Sequence, residues 1–327
     1  MTRVLVTGAG GPAGVAVIRS LLKRADVEVY AGDMDGWASG LYLVPAERRR
    51  LLLPGLAPDF VDGIAEIAKK DAIDVVISTV DVELPPLASR RTELGGAVLA
   101  AASEATLAVT LDKWELAQRC APLLRVPTTR LLTAAGIAAD WDFPVIVKPR
   151  RGAGSRGVHL VADRAALEAH EPDDGQIIQE NLPGEEFSVD VLADASGEVV
   201  AAVPRTRTRV DSGVSIAGRT VHDDELESTA AAVAKAIGLV GVANVQLRYD
   251  VAGVPALLEV NPRFPGALPL TIAAGVDLPS LALDLALGVE LPARLPFRDL
   301  ANVRYLEDVF VDPAEILVSA YAAHADD

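Results

Sequence analysis

The sequence predicts an α/β protein in two parts: an open parallel sheet with crossover helices, then a larger α+β region whose strands are mostly antiparallel. Three observations carry this. The first hundred residues alternate short β-rich runs with helical stretches, and that alternation requires parallel pairing through crossovers. After about residue 110 the strands come at hairpin spacing, with turn signals between neighbours. Half of the 327 residues are hydrophobic and 23% are charged, enough for a large core and too apolar for general disorder. At roughly 150 residues per domain, the length suggests about two domains.

In the first part, Val4–Thr7 is a β-rich run, Gly8–Gly14 a glycine loop and Val15–Lys23 a helix with one apolar face. Val27–Ala31 is the next strand, Phe60–Lys69 a helix and Asp74–Ser78 a further strand, with Leu53–Pro58 a loop inside the unit. Asp112 is placed to cap a helix reaching about Ala121, which Pro122 and Pro127 end. Strands follow at Val145–Lys148, Val158–Val161, Gln176–Gln179, Phe187–Leu192 and Val199–Val203. A helix over Glu225–Ile237 precedes a hairpin, Ala243–Asp250 and Pro255–Val260, that turns at Val251–Ala252–Gly253. Helices over Leu268–Ala274 and Pro279–Leu287 come next, and from about Leu291 the chain reads as an appendage.

Composition excludes several classes of partner. With 46 acidic against 30 basic residues, the formal net charge is −16, a poor match to nucleic acid or anionic lipid, which need a basic face. The single cysteine, Cys120, forms neither an internal disulfide nor a cysteine-cluster zinc site and fits a reducing compartment. The most apolar stretch, Thr229–Leu247, is broken by Lys235, Gly238 and Gly241, and reads as an Ala-rich helix followed by a buried strand. The N-terminal apolar run is too short for a signal-peptide core. The expectation is a cytoplasmic protein with neither nucleic acid nor membrane as partner.

Two glycine-rich segments bear on function. In the first, Gly8, Gly10, Gly11 and Gly14 lie between a strand and a helix, and Asp33 ends the next strand. This approaches the dinucleotide fingerprint, in which glycines admit a pyrophosphate to the helix N-terminus and a distal acid binds ribose. Ala13 stands where the third fingerprint glycine belongs, and glycine also suits any tight strand-to-helix turn. An NAD(P)-binding oxidoreductase is therefore one reading.

The second segment belongs to a set of four elements in fixed order: Leu111–Asp112–Lys113; VIVKPRRGAGSRGV, Val145–Val158; QENLPGEEFSVD, Gln179–Asp190; and NVQLRYD…LLEVNPRFPG, Asn244–Gly266. Lys148, at a strand end beside a flexible loop, can set a cation over a polyphosphate, and the amides of Gly152, Ala153, Gly154, Ser155 and Gly157 can close over it. Gln246 and Glu259 lie on adjacent arms of a hairpin and can face one another. Glu259 and Asn261 share a strand face. One carboxylate and two amide oxygens suit magnesium when nucleotide phosphates and water complete its shell. Arg263 continues that face toward the same phosphates. Each feature alone has an ordinary structural explanation; their order and spacing together do not.

With these four elements, the sequence resembles the ATP-grasp superfamily, and within it the single-module ligases like the carbamoyl-phosphate synthase large chain, over roughly residues 1–290. The resemblance implies a pre-ATP-grasp, Rossmann-like domain at 1–110, an ATP-grasp domain at 111–290 with a lid subdomain at about 123–182, and an appendage at 291–327. It implies that Lys113 and Lys148 contact the ATP phosphates, that the loop from Gly152 to Gly157 covers them, and that Glu180 and Leu182 meet adenine through backbone groups. Glu186 would bind the ribose hydroxyls. Gln246, Glu259 and Asn261 would ligate two Mg²⁺ ions, with Glu259 bridging and Mn²⁺ able to substitute, and Arg263 would stabilise the transferring phosphoryl group. Gln246 stands where many ligases carry an acid, so weaker binding of that metal is expected. The N-terminal domain would help form the acceptor site rather than bind NAD.

On the acceptor side, Arg205, Arg207 and Arg209 alternate with threonines and share one face if the run is extended, which calls for a counter-anion: a phosphate or substrate carboxylate, or nearby acids. Asp81 and Glu83 follow a strand end, where ligands of open α/β sheets collect; they either hold a substrate amino group or are plain surface acids. His159 and His222 receive no role. The reading is an ATP-dependent carboxylate–amine ligase working through an acyl phosphate and releasing ADP and phosphate. Its rivals are bicarbonate activation on the same machinery, the NAD(P) oxidoreductase, and a nucleotide binder without turnover. Small-molecule carboxylate and amine substrates are the expected partners, with a homodimer as the expected assembly.

Overall fold

Val4 and Val6, Val29 and Ala31, and Val75 and Ile77 are fully buried, as are the intervening Leu5 and Val76. Runs apolar on both faces make parallel strands covered on both sides. In the computed structural model, which describes residues 1–318 except 153, 155 and 212, they form β1 (Thr2–Thr7), β2 (Val27–Asp33) and β4 (Val75–Ser78). The short strands β3 (Arg49–Leu51) and β5 (Val98–Leu99) flank them, in the all-parallel order β3-β2-β1-β4-β5. Strand order reverses on either side of β1, so the crevice at the carboxyl ends of β1 and β4 is where ligands of such sheets collect.

The remaining strands make three sheets. The first comprises β6 (Thr129–Leu132), β7 (Val145–Pro149), β8 (His159–Val161) and β9 (Asp173–Glu180), in the antiparallel order β6-β9-β7-β8. The second comprises β10 (Glu186–Ala193), β11 (Val199–Thr206), β14 (Gly241–Tyr249) and β15 (Pro255–Asn261), in the antiparallel order β11-β10-β14-β15. The third is β12 (Arg209–Asp211), β13 (Val214–Arg219) and β16 (Ala301–Val303).

Three apolar clusters hold these layers. One runs from Leu5 and Val76 through Leu107 and Leu116 to Val189 and Val245. A second joins the other face of the parallel sheet, at Val4 and Val29, to Leu192, Val203, Leu268 and Leu283. The parallel sheet and the β10–β15 sheet are thus locked through shared cores. The β6–β9 sheet has its own small cluster around Val145, Leu167 and Ile178. This arrangement leaves the edge between the β6–β9 and β10–β15 sheets free for a cleft.

The expected elements are present with small boundary shifts. Asp112 caps Lys113–Cys120, accepting from the Trp114 and Glu115 amides at 3.0 and 3.4 Å. The stretch within Thr229–Leu247 resolves into the helix Asp224–Ala236 and β14, and no helix among the described residues is long and apolar enough to cross a membrane. Cys120 is buried, with its thiol pushed up to about 11 by desolvation. The segment read as an appendage is integrated: β16 extends β13, the Leu295 amide bonds the Val200 carbonyl at 2.8 Å, and Phe297 packs on the second cluster. Farther along, Arg49 and Arg19 of the N-terminal part pair with Glu315 and Glu307 at 2.9 and 2.8 Å.

Candidate active site

The β10–β15 sheet aligns its polar groups in rows. Along β10, Phe187, Val189 and Val191 enter the core, so by strand alternation Glu186, Ser188 and Asp190 share the opposite face. Register sets Arg205 of β11 beside Ser188, Ser188 beside Gln246 of β14, and Gln246 beside Glu259 of β15. A second row is Asp190, Asn244 and Asn261. A bulge follows the first row, on the side away from the second: Gln246 pairs with Glu259 but Leu247 with Leu257, which leaves Leu258 as an extra residue. Bulges re-aim side chains, and here Leu258 and Glu259 both line one cavity.

That cavity, of 260 Å³, lies between this sheet and the β6–β9 sheet. Lys113, Lys148, Gly152, Gly154, Glu180, Leu182, Glu186, Gln246 and Glu259 all border it. The Lys113 Nζ donates to the Gly152 carbonyl at 2.9 Å and lies 3.7 Å from Glu259 Oε2. Lys148 is buried, and desolvation lowers its pKa to about 8 against the opposing charges of Glu259 and Glu186, with Lys113 adding to the depression. Among the described residues Lys148 has no ion-pair partner within bonding reach, and such a buried cation gains most from a polyanion placed over it.

The loop above is open. Gly152, Gly154 and Gly157 have φ of 123°, 71° and 70°, a backbone that side chains rarely adopt, and a β-carbon at 152 or 154 would meet nothing within 4 Å. Ala153 and Ser155, expected in the same loop, lie outside the described residues. The side chains of two other expected residues carry ion pairs of their own. The Glu180 carboxylate turns to Arg125 Nη2 at 2.5 Å and the Thr128 amide at 2.9 Å. Glu186 pairs with Arg207 at 2.9 Å.

Glu259 and Asn261 are adjacent, with Asn261 Nδ2 3.3 Å from Glu259 Oε1. Among the described residues no group of three or more His, Cys, Asp or Glu could hold a metal. The oxygen set here is instead one carboxylate and two amides, a donor set for a hard cation that keeps water or phosphate in its shell.

A second cavity, of 250 Å³, adjoins the first through Arg156, Arg207, Gln246 and Glu259, and continues to Ser188, Arg205, Asn244, Asn261 and Arg263. The three expected arginines part company here. Arg205, 1% exposed, gives Nε and Nη2 to Asp190 at 2.9 and 2.6 Å. Arg207 bridges both cavities. Arg209 is exposed, starts β12 in another sheet and lines neither cavity; the strand breaks after Thr206, so the three do not share one face. Neither acid is a plain surface group. Asp81 forms a bidentate pair with Arg263, both contacts at 2.9 Å. Glu83 is buried, accepts from Thr7 and from Ser78 at 2.7 Å, and is held above the ordinary carboxylate range by burial. Arg156, Ser188 and Asn244 were not singled out from the sequence; register places the last two, and nothing local marks the first.

Residues 173–309 match the family model described as ATP-grasp in the biosynthetic pathway with Ter operon. The match covers 137 of the 327 residues. The chain is 30% identical over 165 residues to the carbamoyl phosphate synthase large chain of Clostridium acetobutylicum, covering 46% of this chain but 15% of that relative. The N5-carboxyaminoimidazole synthetase from Staphylococcus aureus complexed with ADP superposes with a TM-score of 0.73 at 13% identity, over 90% of this chain and 80% of that one. The Campylobacter jejuni biotin carboxylase–β,γ-ATP complex gives 0.71 at 17%, over 88% and 72%, and the Bacillus licheniformis L-amino acid ligase 0.69 at 18%, over 88% and 74%.

In this fold the N-terminal glycine loop is held internally. The Gly10 amide bonds Asp33 Oδ2 at 2.8 Å, so the acid and a loop amide that a dinucleotide would need hold each other. A β-carbon at Gly14 would lie 2.0 Å from the Gly8 carbonyl oxygen, which accounts for that glycine by packing alone. His222 stacks on Phe297 at 4.1 Å and borders a separate open hollow.

Proposed function

We propose that this chain is an ATP-grasp ligase, dependent on ATP and Mg²⁺, that joins a small carboxylic acid to an amine through an acyl phosphate, releasing ADP and phosphate. One observation carries the reading: the buried Lys148 and Glu259 border one cavity that opens directly into a second, arginine-lined one, which Glu259 and Asn261 both border. The first suits a nucleoside triphosphate, with Lys113 and Lys148 on its phosphates, the 152–157 loop above them, the backbone at Glu180 and Leu182 against adenine, and Glu186 toward ribose. The second suits the acid, whose carboxylate would meet the γ-phosphoryl group at Glu259 and Arg263.

Phosphoryl transfer asks the protein chiefly to position reactants and offset charge. Arg263 and Lys148 supply fixed cations where charge builds. Glu259, Asn261 and Gln246 would hold Mg²⁺, two ions bridged by Glu259 or Mn²⁺ in their place, which lowers the charge on the phosphate oxygens. The domain roles are proposed accordingly: residues 1–110 complete the acceptor side, 111–290 bind nucleotide under a lid at about 123–182, and a homodimer works in the cytoplasm. A second reading takes bicarbonate as the acid; the segment shared with carbamoyl phosphate synthase favours it.

Isotope transfer tests the proposal. An ¹⁸O-labelled carboxylate should pass one oxygen to inorganic phosphate, because the carboxylate oxygen attacks the γ-phosphorus and leaves with it when the amine displaces phosphate. Label in AMP with release of pyrophosphate, or no label in phosphate during turnover, would overturn it.

A further inference from the structure

The second cavity contains more cationic groups than activation of one carboxylate requires. Its polar row has two distinct ends: Glu259 on β15, next to Asn261 and Arg263, and Arg205 on β11, three strands away. At a strand spacing of about 4.8 Å the two Cα positions are about 14 Å apart. Ser188 and Gln246 lie between them with side chains that donate hydrogen bonds.

The Arg205 end is built, not incidental. Its guanidinium is 1% exposed and locked by Asp190, which also accepts from Asn244 Nδ2 at 2.8 Å and from Thr271. Both Nε and Nη2 are used this way, while Nη1 has no hydrogen-bond partner among the described residues and Arg205 lines the cavity. Arg304, near enough for Arg205 to depress its pKa further below the value burial gives, donates to the carbonyl of cavity-lining Gly266 at 2.6 Å. Arg156 and Arg207 stand at the border with the nucleotide cavity. Among the described residues around this space, five arginines meet four carboxylates, Asp190, Glu186, Asp81 and Glu259, in a chain of net charge −16.

We propose that the acid substrate carries a second anionic group, read by Arg205 at the end of the cavity opposite Glu259 and Arg263. The inference rests on the ligase reading. A volume of 250 Å³, below that of most drug-sized pockets, sets the class as a short dianion: a dicarboxylate or a phosphorylated hydroxy acid. Among residues found only in this cavity, the apolar contribution is small, from Val214, Pro265 and Ala267, so a hydrophobic amino acid has little to bind. Bicarbonate is too short to reach both ends.

The test compares matched acids on the full chain. Butanoate against succinate, pentanoate against glutarate, and glycolate against phosphoglycolate, with bicarbonate added, are offered with MgATP and hydroxylamine, reading hydroxamate and ADP; their affinities are measured calorimetrically with MgADP present. At least one dianion should exceed its monoanion by tenfold or more in kcat/KM and in affinity, and the dicarboxylate and phosphate arms identify which group is read. Arg205→Gln combined with Asp190→Asn removes the cation without stranding a buried carboxylate and should bring the ratio close to one while MgADP affinity holds. Arg304→Gln, should the double variant not fold, should lower the same ratio. Monoanions or bicarbonate equal to the dianions, no dianion bound at millimolar concentration, or a ratio unchanged in the folded variants each overturns the inference. Dianion binding without ADP release would instead overturn the ligase reading, and hydroxamate from monoanions alone would leave that reading standing.

Discussion

Arg263, just after β15, and Asp81, just after β4, form a bidentate ion pair 182 residues apart in sequence, with both contacts at 2.9 Å. The pair connects the carboxyl end of the parallel sheet to the polar edge of the cleft. Each side chain is about one-fifth exposed, so the contact is worth little as a stabilising bridge. Its geometric effect is larger, because two parallel hydrogen bonds fix the plane of a guanidinium.

Asp81 is therefore a positioning residue. Asp81→Ala should lower kcat by about tenfold, roughly 1.4 kcal/mol in the transition state, while leaving MgADP affinity and thermal midpoint close to wild type. Asp81→Asn, which keeps one acceptor, should recover part of the loss. Steady-state kinetics beside a calorimetric ADP titration checks this; a change confined to ADP affinity would assign Asp81 elsewhere.

Glu259 is the one carboxylate in the proposed oxygen set. Glu259→Gln keeps volume and packing but removes the charge that would attract Mg²⁺. Removing such a ligand typically costs about 3 kcal/mol or more at the transition state. Turnover should fall at least a hundredfold at saturating Mg²⁺, with an unchanged circular dichroism spectrum. Activity above a tenth of wild type would remove Glu259 from the metal site.

The sheet strands were legible in the sequence because their signal is local. Phe187–Leu192 is observed as Glu186–Ala193 and Pro255–Val260 as Pro255–Asn261, both apolar runs bounded by clear turns. The strands β3, β5 and β12, of two or three residues, are not legible, being too short for any period to register, whereas β4 and β8 lie in short apolar runs that are. Several residues bordering the first cavity were legible because spacing on a hairpin fixes which side chains share a face. What each of them touches was not. The Asp190–Arg205 and Asp81–Arg263 pairs depend on register and on packing between sheets, and the bulge at Leu258 has no glycine or proline to announce it. Arg209 was misplaced because alternation was extended through Thr206–Thr208, where the strand ends.

Glu83 gives a pH dependence with a definite sign. Burial raises its pKa above the ordinary 4.5, aided by Asp33 and opposed by the Thr7 and Ser78 hydroxyls. A carboxyl with a raised folded-state pKa contributes stability that is full below the unfolded value and is lost as pH rises through the folded value. Glu83→Gln keeps the acceptor oxygen and cannot ionise. Its thermal midpoint should match wild type near pH 4 and exceed it increasingly toward pH 8. A difference independent of pH would mean that Glu83 does not titrate in this range.

Arg125 predicts a separation of adenine from phosphate recognition. Its guanidinium joins Glu180, at 2.5 Å through Nη2, to Asp250, at 3.0 Å through Nε, and donates from Nη1 to the Val126 carbonyl at 2.6 Å. Its own carbonyl accepts from the Leu257 amide on β15 at 3.0 Å. The segment from Glu180 to Leu182, proposed to meet adenine, is thus tied through one side chain to the β14–β15 hairpin, while the Lys113 and Lys148 ammonium groups lie outside that network. Arg125→Ala releases the Glu180 carboxylate and loosens the backbone beside it. Removing a charge-assisted hydrogen bond at a partly exposed site costs about 1.5 kcal/mol, so ADP affinity should weaken about tenfold. Tripolyphosphate, which has no base, should bind as to wild type, and kcat at saturating ATP should change little. Equal weakening for both ligands would show that Arg125 supports the whole cleft rather than its adenine end.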